Sequence, residues 1–155
     1  MANNYRVHQA SIEDLNELAE VFNKYRIFYG QPNDIEGAKS FLFDRFEHQE
    51  SIIFCVQDHN SGQILGFTQL YPLFSSISMR RLLLLNDLYV DEAYRKQGIG
   101  QLLLDTAKGY AEKVRAKGLQ LSTAVTNSSA QSLYERNGYV RDNEFYHYFL
   151  GVQQV

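Results

Sequence analysis

One stretch in the second half of the chain decides the fold class: LLLLNDLYVDEAYRKQGIGQLLL, residues 82–104. Its four leucines, continued by Leu88 and Val90, predict a strand that is buried on both faces. Gly98 and Gly100 follow at the point where a helix begins. Apolar side chains then recur at helical spacing, namely Ile99, Leu103, Ala107, Tyr110 and Val114. The stretch therefore predicts a strand, a glycine-containing turn and an amphipathic helix in succession.

The turn between that strand and helix has the properties of an anion-binding site. The first backbone N–H groups of a helix lack partners, and their dipoles favour a negative charge. Gly98 and Gly100 have no Cβ, so a bulky polyanion can approach the backbone, while Arg95 and Lys96 add positive charge. A diphosphate fits this turn. A glycine-containing turn that only starts a helix fits the local pattern equally well.

Particular residues exclude two other phosphate motifs. A dinucleotide-binding fingerprint requires a third glycine at position 103, where this chain has Leu103. A P-loop requires Gly-Lys followed by Ser or Thr, and Gly98 and Gly100 are followed by Ile99 and Gln101. The turn matches neither motif, so the cofactor must be named on other grounds.

The composition is that of an ordinary globular chain and argues against several partners. The 155 residues suffice for one domain, 1–155, and 45% of them are hydrophobic. A net charge of −3 gives no sign of a nucleic-acid or membrane partner. The single cysteine, Cys55, lies in an apolar run, so we expect a buried thiol and a reducing, cytoplasmic location. The four histidines lack metal-ligand spacing, and no metal is expected.

Periodicity and turn residues predict the order β-α-α-β-β-β-α-β-α-β-β, an α/β domain with a mixed, mostly antiparallel central sheet flanked by helices. A first strand over residues 5–10 leads into a helix that Ser11 caps, with Asp14 completing a capping box. A second helix is expected over residues 35–48. A β-hairpin follows over residues 51–71.

The remaining elements lie on either side of the glycine turn. Residues 72–79 are expected to form a loop or irregular edge before the central strand. The long helix ends near Lys117, with Gly118 as its C-cap. A strand over residues 119–126 and a short helix follow. Residues 139–140 and 145–150 then form a final hairpin.

Two motifs together resemble those of the GNAT superfamily of N-acetyltransferases. One is Arg95-x-x-Gly98-x-Gly100 after an apolar strand, which resembles the family's acyl-CoA pyrophosphate loop. The other is Asn127-x-x-Ala130-x-x-Leu133-Tyr134-x-x-x-Gly138-Tyr139, at the expected distance. The resemblance covers nearly the whole chain. It implies the GNAT fold, acetyl-CoA as co-substrate, and likeness to small single-domain enzymes that act on polyamines, amino acids or protein amines.

The resemblance assigns two groups of residues to acetyl-CoA. Around the loop they are Leu88, Tyr89, Val90, Arg95, Lys96, Gln97, Gly98, Ile99, Gly100 and Gln101, and near the second motif they are Asn127, Ala130 and Tyr134. Backbone groups of Leu88 and Val90 would meet the acetyl carbonyl and the pantetheine, although both side chains are equally consistent with plain core. Asn127 is equally consistent with a simple helix cap.

Tyr134 and Asp87 are the catalytic candidates. In the family, a tyrosine at the place of Tyr134 protonates the departing CoA thiolate, whereas outside that pattern a core aromatic is the simpler interpretation. Polyamine acetyltransferases, which residues 85–90 resemble, often carry a glutamate base where this chain has Asn86, an amide that takes up no proton at neutral pH. Asp87 remains as a base or as a structural charge. Strand alternation predicts that it points away from Asn86.

Two segments are candidates for the acceptor pocket, residues 22–34 and 71–81. Within and near them we expect Tyr29, Tyr71 and Asn86 to bind the acceptor, because aromatic rings can hold a cation, although packing explains both tyrosines as well. The expected reaction is direct attack of a primary amine, small-molecule or peptide, on acetyl-CoA in a ternary complex. The alternatives are lysine or N-terminal protein acetylation, and a non-catalytic acyl-CoA sensor. A homodimer is expected because the family often forms dimers.

Overall fold

The computed structural model describes residues 4–153, which form two compact units divided between Ser122 and Thr123. The larger unit contains a five-stranded sheet in the order β1-β2-β3-β4-β5. Its strands are β1 Tyr5–Gln9, β2 Ile52–Asp58, β3 Ile64–Ser75, β4 Arg80–Val90 and β5 Leu119–Gln120. Neighbouring strands are antiparallel except for the parallel pair β4–β5. The predicted α/β class with a mixed, mostly antiparallel sheet is confirmed.

Two helices cover one face of the sheet, α1 Leu15–Phe28 and α2 Ile35–Glu47. The predicted capping box is present before α1: the Ser11 hydroxyl accepts from the N–H of Glu13, and the Ser11 N–H donates to Asp14 Oδ2 at 2.9 Å. The apolar sides of both helices are buried with side chains of the sheet, in a core that includes Leu18, Phe22, Ala38, Leu42, Ile53, Cys55, Phe67 and Tyr89. This core fixes the position of α1 and α2 beside β4.

The third helix, α3 Ile99–Lys113, packs against strands of the sheet through Ile99, Leu103 and Ala107, which are all fully or almost fully buried. Gly66 on β3 allows a close approach here. A Cβ added at Gly66 would lie 2.8 Å from the carbonyl oxygen of Tyr89 and 3.4 Å from Ile99 Cγ2. The glycine loop therefore has a fixed place at the end of β4.

Three predicted boundaries in this unit are wrong. Strand β3 continues through Pro72 to Ser75, where a loop was predicted, and Pro72 is paired with Leu83 of β4. Beyond Leu70, β3 has a strand neighbour on the β4 side only, so proline's missing N–H is tolerated there. Helix α3 ends at Lys113 rather than near Lys117. Strand β5 has two residues, because its pairing with β4 ends at Gln120.

The smaller unit contains one helix, α4 Ser128–Arg136, and then a segment whose prediction is wrong. Residues 139–153 contain no strand, so the predicted hairpin over residues 139–140 and 145–150 is absent. A strand requires a backbone partner as well as side chains that favour strands. Here polar groups bond locally instead, as where the N–H of Glu144 donates to Asp142 Oδ1 at 2.8 Å. Among residues 4–153, no helix has both the length and the apolar character needed to cross a membrane.

Candidate active site

The loop that joins β4 to α3 is held in place by Arg95. Its Nε donates to the carbonyl oxygen of Val90 at 3.0 Å. Its guanidinium also lies over the rings of Phe28 and Tyr89, 5.0 and 5.4 Å from their centroids. The side chain of Arg95 thus fastens the loop both to the end of β4 and to the C-terminal turn of α1.

The two loop glycines have different reasons to be glycine. Gly98 precedes α3 with a φ of +83°, a left-handed conformation that side chains disfavour. Gly100 lies in the first turn of the helix, where a Cβ would find only Val90 Cγ2, at 3.9 Å. The protein's own packing therefore does not require a glycine at position 100. The open space above Gly100, at a helix end that no side chain caps, fits a diphosphate.

Most of the residues predicted to bind the cofactor lie together at this loop, but the ring of Tyr89 does not. Tyr89 is 8% exposed and belongs to the aromatic core with Tyr25 and Phe28, at ring distances of 5.8 and 6.1 Å. Burial raises the pKa of its phenol, although Arg95 acts in the opposite direction. Only the backbone of Tyr89 is therefore available to a ligand on the loop side.

Three of the loop residues that were predicted to bind the cofactor are exposed, namely Lys96, Gln97 and Gln101. Gln97 accepts a hydrogen bond from the Tyr5 hydroxyl, which joins the loop to β1. Gln101 Nε2 donates to Asp105 Oδ1 at 2.9 Å along α3, and Lys96 is exposed with a φ of +63°. Of these three residues only Lys96 brings a positive charge to the loop.

The sheet opens beside the loop. Strand β5 pairs with β4 only at Leu83–Leu119 and Leu84–Gln120, whereas β4 continues to Val90. Among the described residues, no strand pairs with β4 on that side beyond Leu84. Its backbone groups there, including those of Leu88 and Val90, can pair with an extended ligand chain.

A β-bulge places two polar side chains at one cavity. In the β3–β4 ladder, Gln69 is opposite Asp87 and Leu70 is opposite Leu85, so Asn86 is an extra residue. Asn86 and Asp87 line the same cavity, and Asn86 Nδ2 lies 3.2 Å from Asp87 Oδ1. The prediction that strand alternation separates these side chains is wrong, because a bulge breaks the alternation.

Asp87 is 4% exposed and accepts hydrogen bonds from two side-chain amides. Gln69 Nε2 donates to Oδ2 at 2.6 Å, and Asn86 Nδ2 donates to Oδ1 at 3.2 Å. Burial, and then the nearby Asp87 carboxyl, raise the pKa of Tyr25 well above its usual range. The Tyr25 phenol therefore keeps its proton at neutral pH.

The cavity has a volume of about 470 Å³ and lies between α1, α2 and β4. Four aromatic residues line it, Phe22, Tyr25, Phe41 and Tyr71, together with Gly37. The polar and charged lining residues are Arg26, Asp34, Asn86 and Asp87. Burial, and then Asp87, raise the pKa of Tyr71 to about 12. Aromatic walls with a few polar groups among them are typical of a small-molecule site.

Two of the three residues predicted to bind the acceptor line the cavity. Tyr71 and Asn86 line the cavity, whereas Tyr29 does not. Tyr29 follows the last residue of α1, is 57% exposed, and packs its ring against Tyr25 at 5.0 Å. Sequence reasoning missed Gln69, and the signal that could have found it is a polar side chain between Phe67 and Leu70 in an otherwise apolar strand.

The second motif folds as one short helix in the smaller unit. Asn127 caps α4 by accepting from the N–H of Ala130 at 3.2 Å, and Tyr134 lies about one turn after Ala130 in the same helix. The rings of Tyr134 and Tyr139 lie 5.8 Å apart. Burial, and then Tyr134, raise the pKa of Tyr139 to about 12.

A further polar cluster joins β1, β2 and the start of α1. His8 Nε2 lies 3.2 Å from Asp14 Oδ2 and 3.4 Å from Cys55 Sγ. Burial, and then Asp14, raise the pKa of Cys55 to about 12, so its sulfur is a thiol at neutral pH. The Asp14 carboxylate already takes part in the capping box. Hydrogen bonding within the fold accounts for this cluster.

The open sheet beside an uncapped, glycine-lined helix end, with a cavity next to it, suits an extended ligand that carries a diphosphate. The profile of the acetyltransferase (GNAT) domain matches residues 49–141. The chain is also 47% identical over 146 residues to YhfO, an uncharacterized N-acetyltransferase of Bacillus subtilis, covering 94% of this chain and 97% of that protein. The chain therefore belongs to the GNAT acetyltransferase family, and it is an acetyl-CoA-dependent N-acetyltransferase.

Solved structures agree with this assignment. The crystal structure of a probable acetyltransferase superimposes with a TM-score of 0.91 at 41% identity, covering 96% of this chain and 99% of that one. An aminoglycoside acetyltransferase from an uncultured soil metagenomic sample superimposes with a TM-score of 0.83 at 16% identity, covering 97% and 98%. The second likeness shows the shared fold alone.

Proposed function

We propose that the protein transfers the acetyl group of acetyl-CoA to a primary amine that is held in the cavity beside β4. Asp87 carries this proposal, because it brings a buried acid to a cavity on the strand that also contains Leu88 and Val90. Membership of the acetyltransferase family is the reason for naming acetyl-CoA as the acetyl donor. The acceptor would bind in the cavity, which lies in the same compact unit as the glycine loop.

The amine must lose a proton before it can react. An alkyl amine that titrates like lysine is neutral for only about one molecule in two thousand at pH 7. Asp87 accepts the proton, directly or through one water molecule, while Asn86 and Gln69 hold its two oxygens in position. A positioned base of this kind contributes roughly 10²- to 10⁴-fold to a rate.

The bond changes are those of direct attack within a ternary complex. The amine lone pair forms the new N–C bond, and the C–S bond then breaks to release the thiolate. Tyr134 is the proposed proton donor to that sulfur. Its support is the motif around it, which the sequence shares with the family, and its place on a capped helix.

Thiol release from acetyl-CoA tests the proposal. The purified protein is incubated with acetyl-CoA and a panel of primary amines, including alkylamines, amino acids and lysine-containing peptides. We expect thiol release that depends on an amine and yields the N-acetyl product by mass spectrometry. If calorimetry shows acetyl-CoA binding and no amine releases thiol, the protein is a sensor rather than an enzyme acting on amines. If only peptides are acetylated, the acceptor is a protein amine.

A further inference from the structure

We infer that the acceptor carries a carboxylate as well as its amine, and that Arg26 binds this carboxylate in the cavity between α1, α2 and β4. This inference rests on the proposed function and adds a second recognition group to the acceptor, which makes it an amino acid in the broad chemical sense. The observation behind it is a cation in the cavity wall that the described part of the chain leaves without a partner.

Arg26 lines the cavity and is partly buried. Within residues 4–153, its guanidinium takes part in no ion pair, side-chain hydrogen bond or ring contact. A guanidinium presents five N–H donors in a planar fork that matches the two oxygens of a carboxylate. A ligand carboxylate at this place gains two parallel, charge-assisted hydrogen bonds.

Two other cations near the cavity already have partners. Arg45 on α2 forms an ion pair with Glu50 at 3.2 Å, and its guanidinium lies over the ring of Phe41 at 4.4 Å. Lys24 on α1 forms an ion pair with Asp91 at 2.7 Å. A ligand anion could recruit either side chain only by breaking an existing ion pair. The arginine of the cavity wall needs no such exchange.

The acids of the lining do not neutralise Arg26. Asp34 caps α2, where its Oδ1 accepts from the N–H of Gly37 at 2.9 Å. Asp87 accepts from two side-chain amides. Among the described residues, neither acid forms an ion pair with the arginine. Two acids in the same lining also repel a dianion such as a phosphate monoester, so the singly charged carboxylate is the anion that suits this cavity.

The backbone around Arg26 is fixed by hydrogen bonds. Its carbonyl oxygen accepts from the N–H groups of Tyr29 and Gln31, at 3.1 and 2.9 Å. One turn earlier, the side chain of Asn23 is almost buried, and its Oδ1 accepts from the N–H of Asp34 at 3.1 Å. These bonds hold the end of α1 to the start of α2. The arginine is therefore carried by a defined part of the cavity wall rather than by a loose loop.

Amino acids and their primary amides form matched pairs that test this inference. The pairs are leucine with leucinamide, γ-aminobutyrate with γ-aminobutyramide, and ε-aminocaproate with ε-aminocaproamide, so the separation of amine and carboxylate varies. Each amide keeps the shape of its acid and removes the negative charge. Binding to the CoA-saturated protein is measured by isothermal titration calorimetry. We expect the Kd of the acid to be roughly tenfold or more below that of its amide in at least one pair. If every amide binds as tightly as its acid, or no acid binds, the inference is overturned.

The Arg26→Gln variant identifies the residue responsible. It removes the charge and the fork, so we expect the preference for the acid to fall to within about threefold. The matched control is Lys39→Gln, which removes a positive charge from α2 outside the cavity lining and should retain the full preference. CoA affinity measured on each variant reports that the fold is intact. A full preference in folded Arg26→Gln overturns the inference, and so does its loss in folded Lys39→Gln.

This design separates the inference from the proposed function. Thiol release from acetyl-CoA is recorded for every compound in parallel with the calorimetry. Acetylation of acids and amides alike, with no preference for the acid in binding, leaves the proposed function standing and removes the inference. Binding of the acids that depends on Arg26, without thiol release from any amine, supports the carboxylate site and removes the proposed reaction.

Discussion

Tyr134 is the residue whose proposed role depends most on a single atom. It lies on α4, where its ring packs against that of Tyr139 at 5.8 Å. The ring has a packing role whether or not its hydroxyl takes part in the reaction. A substitution that keeps the ring and removes the oxygen therefore separates these two roles.

We expect Tyr134→Phe to lower kcat by about 10²-fold or more, because the departing thiolate loses its proton donor. The affinity for acetyl-CoA should be maintained, since this interaction is made mainly in the transition state. Steady-state kinetics under conditions where chemistry limits the rate provide the measurement. The neighbouring Tyr139→Phe variant is the control and should keep near-normal turnover. A kcat within threefold of wild type for Tyr134→Phe would leave water as the proton source.

At the scale of elements, the glycine loop has the clearest consequence for binding. Gly98 has a left-handed conformation, so a larger residue there strains the backbone as well as the ligand site. Gly100 has no such constraint, and a Cβ at this position would find only Val90 Cγ2, at 3.9 Å. Replacement of Gly100 therefore tests the ligand site without disturbing the loop.

We expect Gly100→Ala to weaken acetyl-CoA binding at least tenfold, which corresponds to about 1.4 kcal/mol. The added methyl group occupies the space that we assign to the diphosphate. Stability should be unchanged or higher by up to about 1 kcal/mol, because alanine favours a helix over glycine. Calorimetry and thermal melting measure the two effects. Gly109→Ala in the same helix is the matched control, since nothing lies within 4 Å of its added Cβ. Equal affinities of the two variants would exclude the loop as the cofactor site.

The sequence predicted the elements that local pattern determines. Strand β4, the glycine loop and the start of α3 follow one another along the chain, so their signal is local. The capping box at Ser11 and the cap at Asn127 are local for the same reason. The bulge at Asn86 could not be predicted, because it depends on the pairing register with β3. Whether Tyr29 faces the cavity depends on where α1 ends relative to β4, which is likewise a tertiary property.

At the scale of the whole molecule, the C-terminal segment exposes many apolar side chains. Seven large apolar residues between positions 140 and 152 are at least 71% exposed: Val140, Phe145, Tyr146, Tyr148, Phe149, Leu150 and Val152. Apolar side chains clustered in this way are characteristic of surfaces that bind another protein. The family resemblance predicts that the partner is a second copy of this chain.

We expect light scattering at micromolar concentration to give twice the chain mass of 17.9 kDa. The Phe149→Glu variant should be monomeric, because a charge on a 94% exposed aromatic of this segment opposes apolar association. Glu144→Gln in the same segment is the control and should remain dimeric. A wild-type protein that is monomeric under these conditions would contradict the prediction.

The extra residue in β4 also divides the strand into two parts that can vary independently. Residues before it keep one phase of alternation, so that Leu85 shares the face of its partner Leu70. Residues after it have the opposite phase, which gives Asp87 the face of Gln69. A substitution in the second part that changes the cavity leaves the packing order of the first part untouched. Under the proposed function, one scaffold can thus acquire a new acceptor preference without rebuilding its hydrophobic interior.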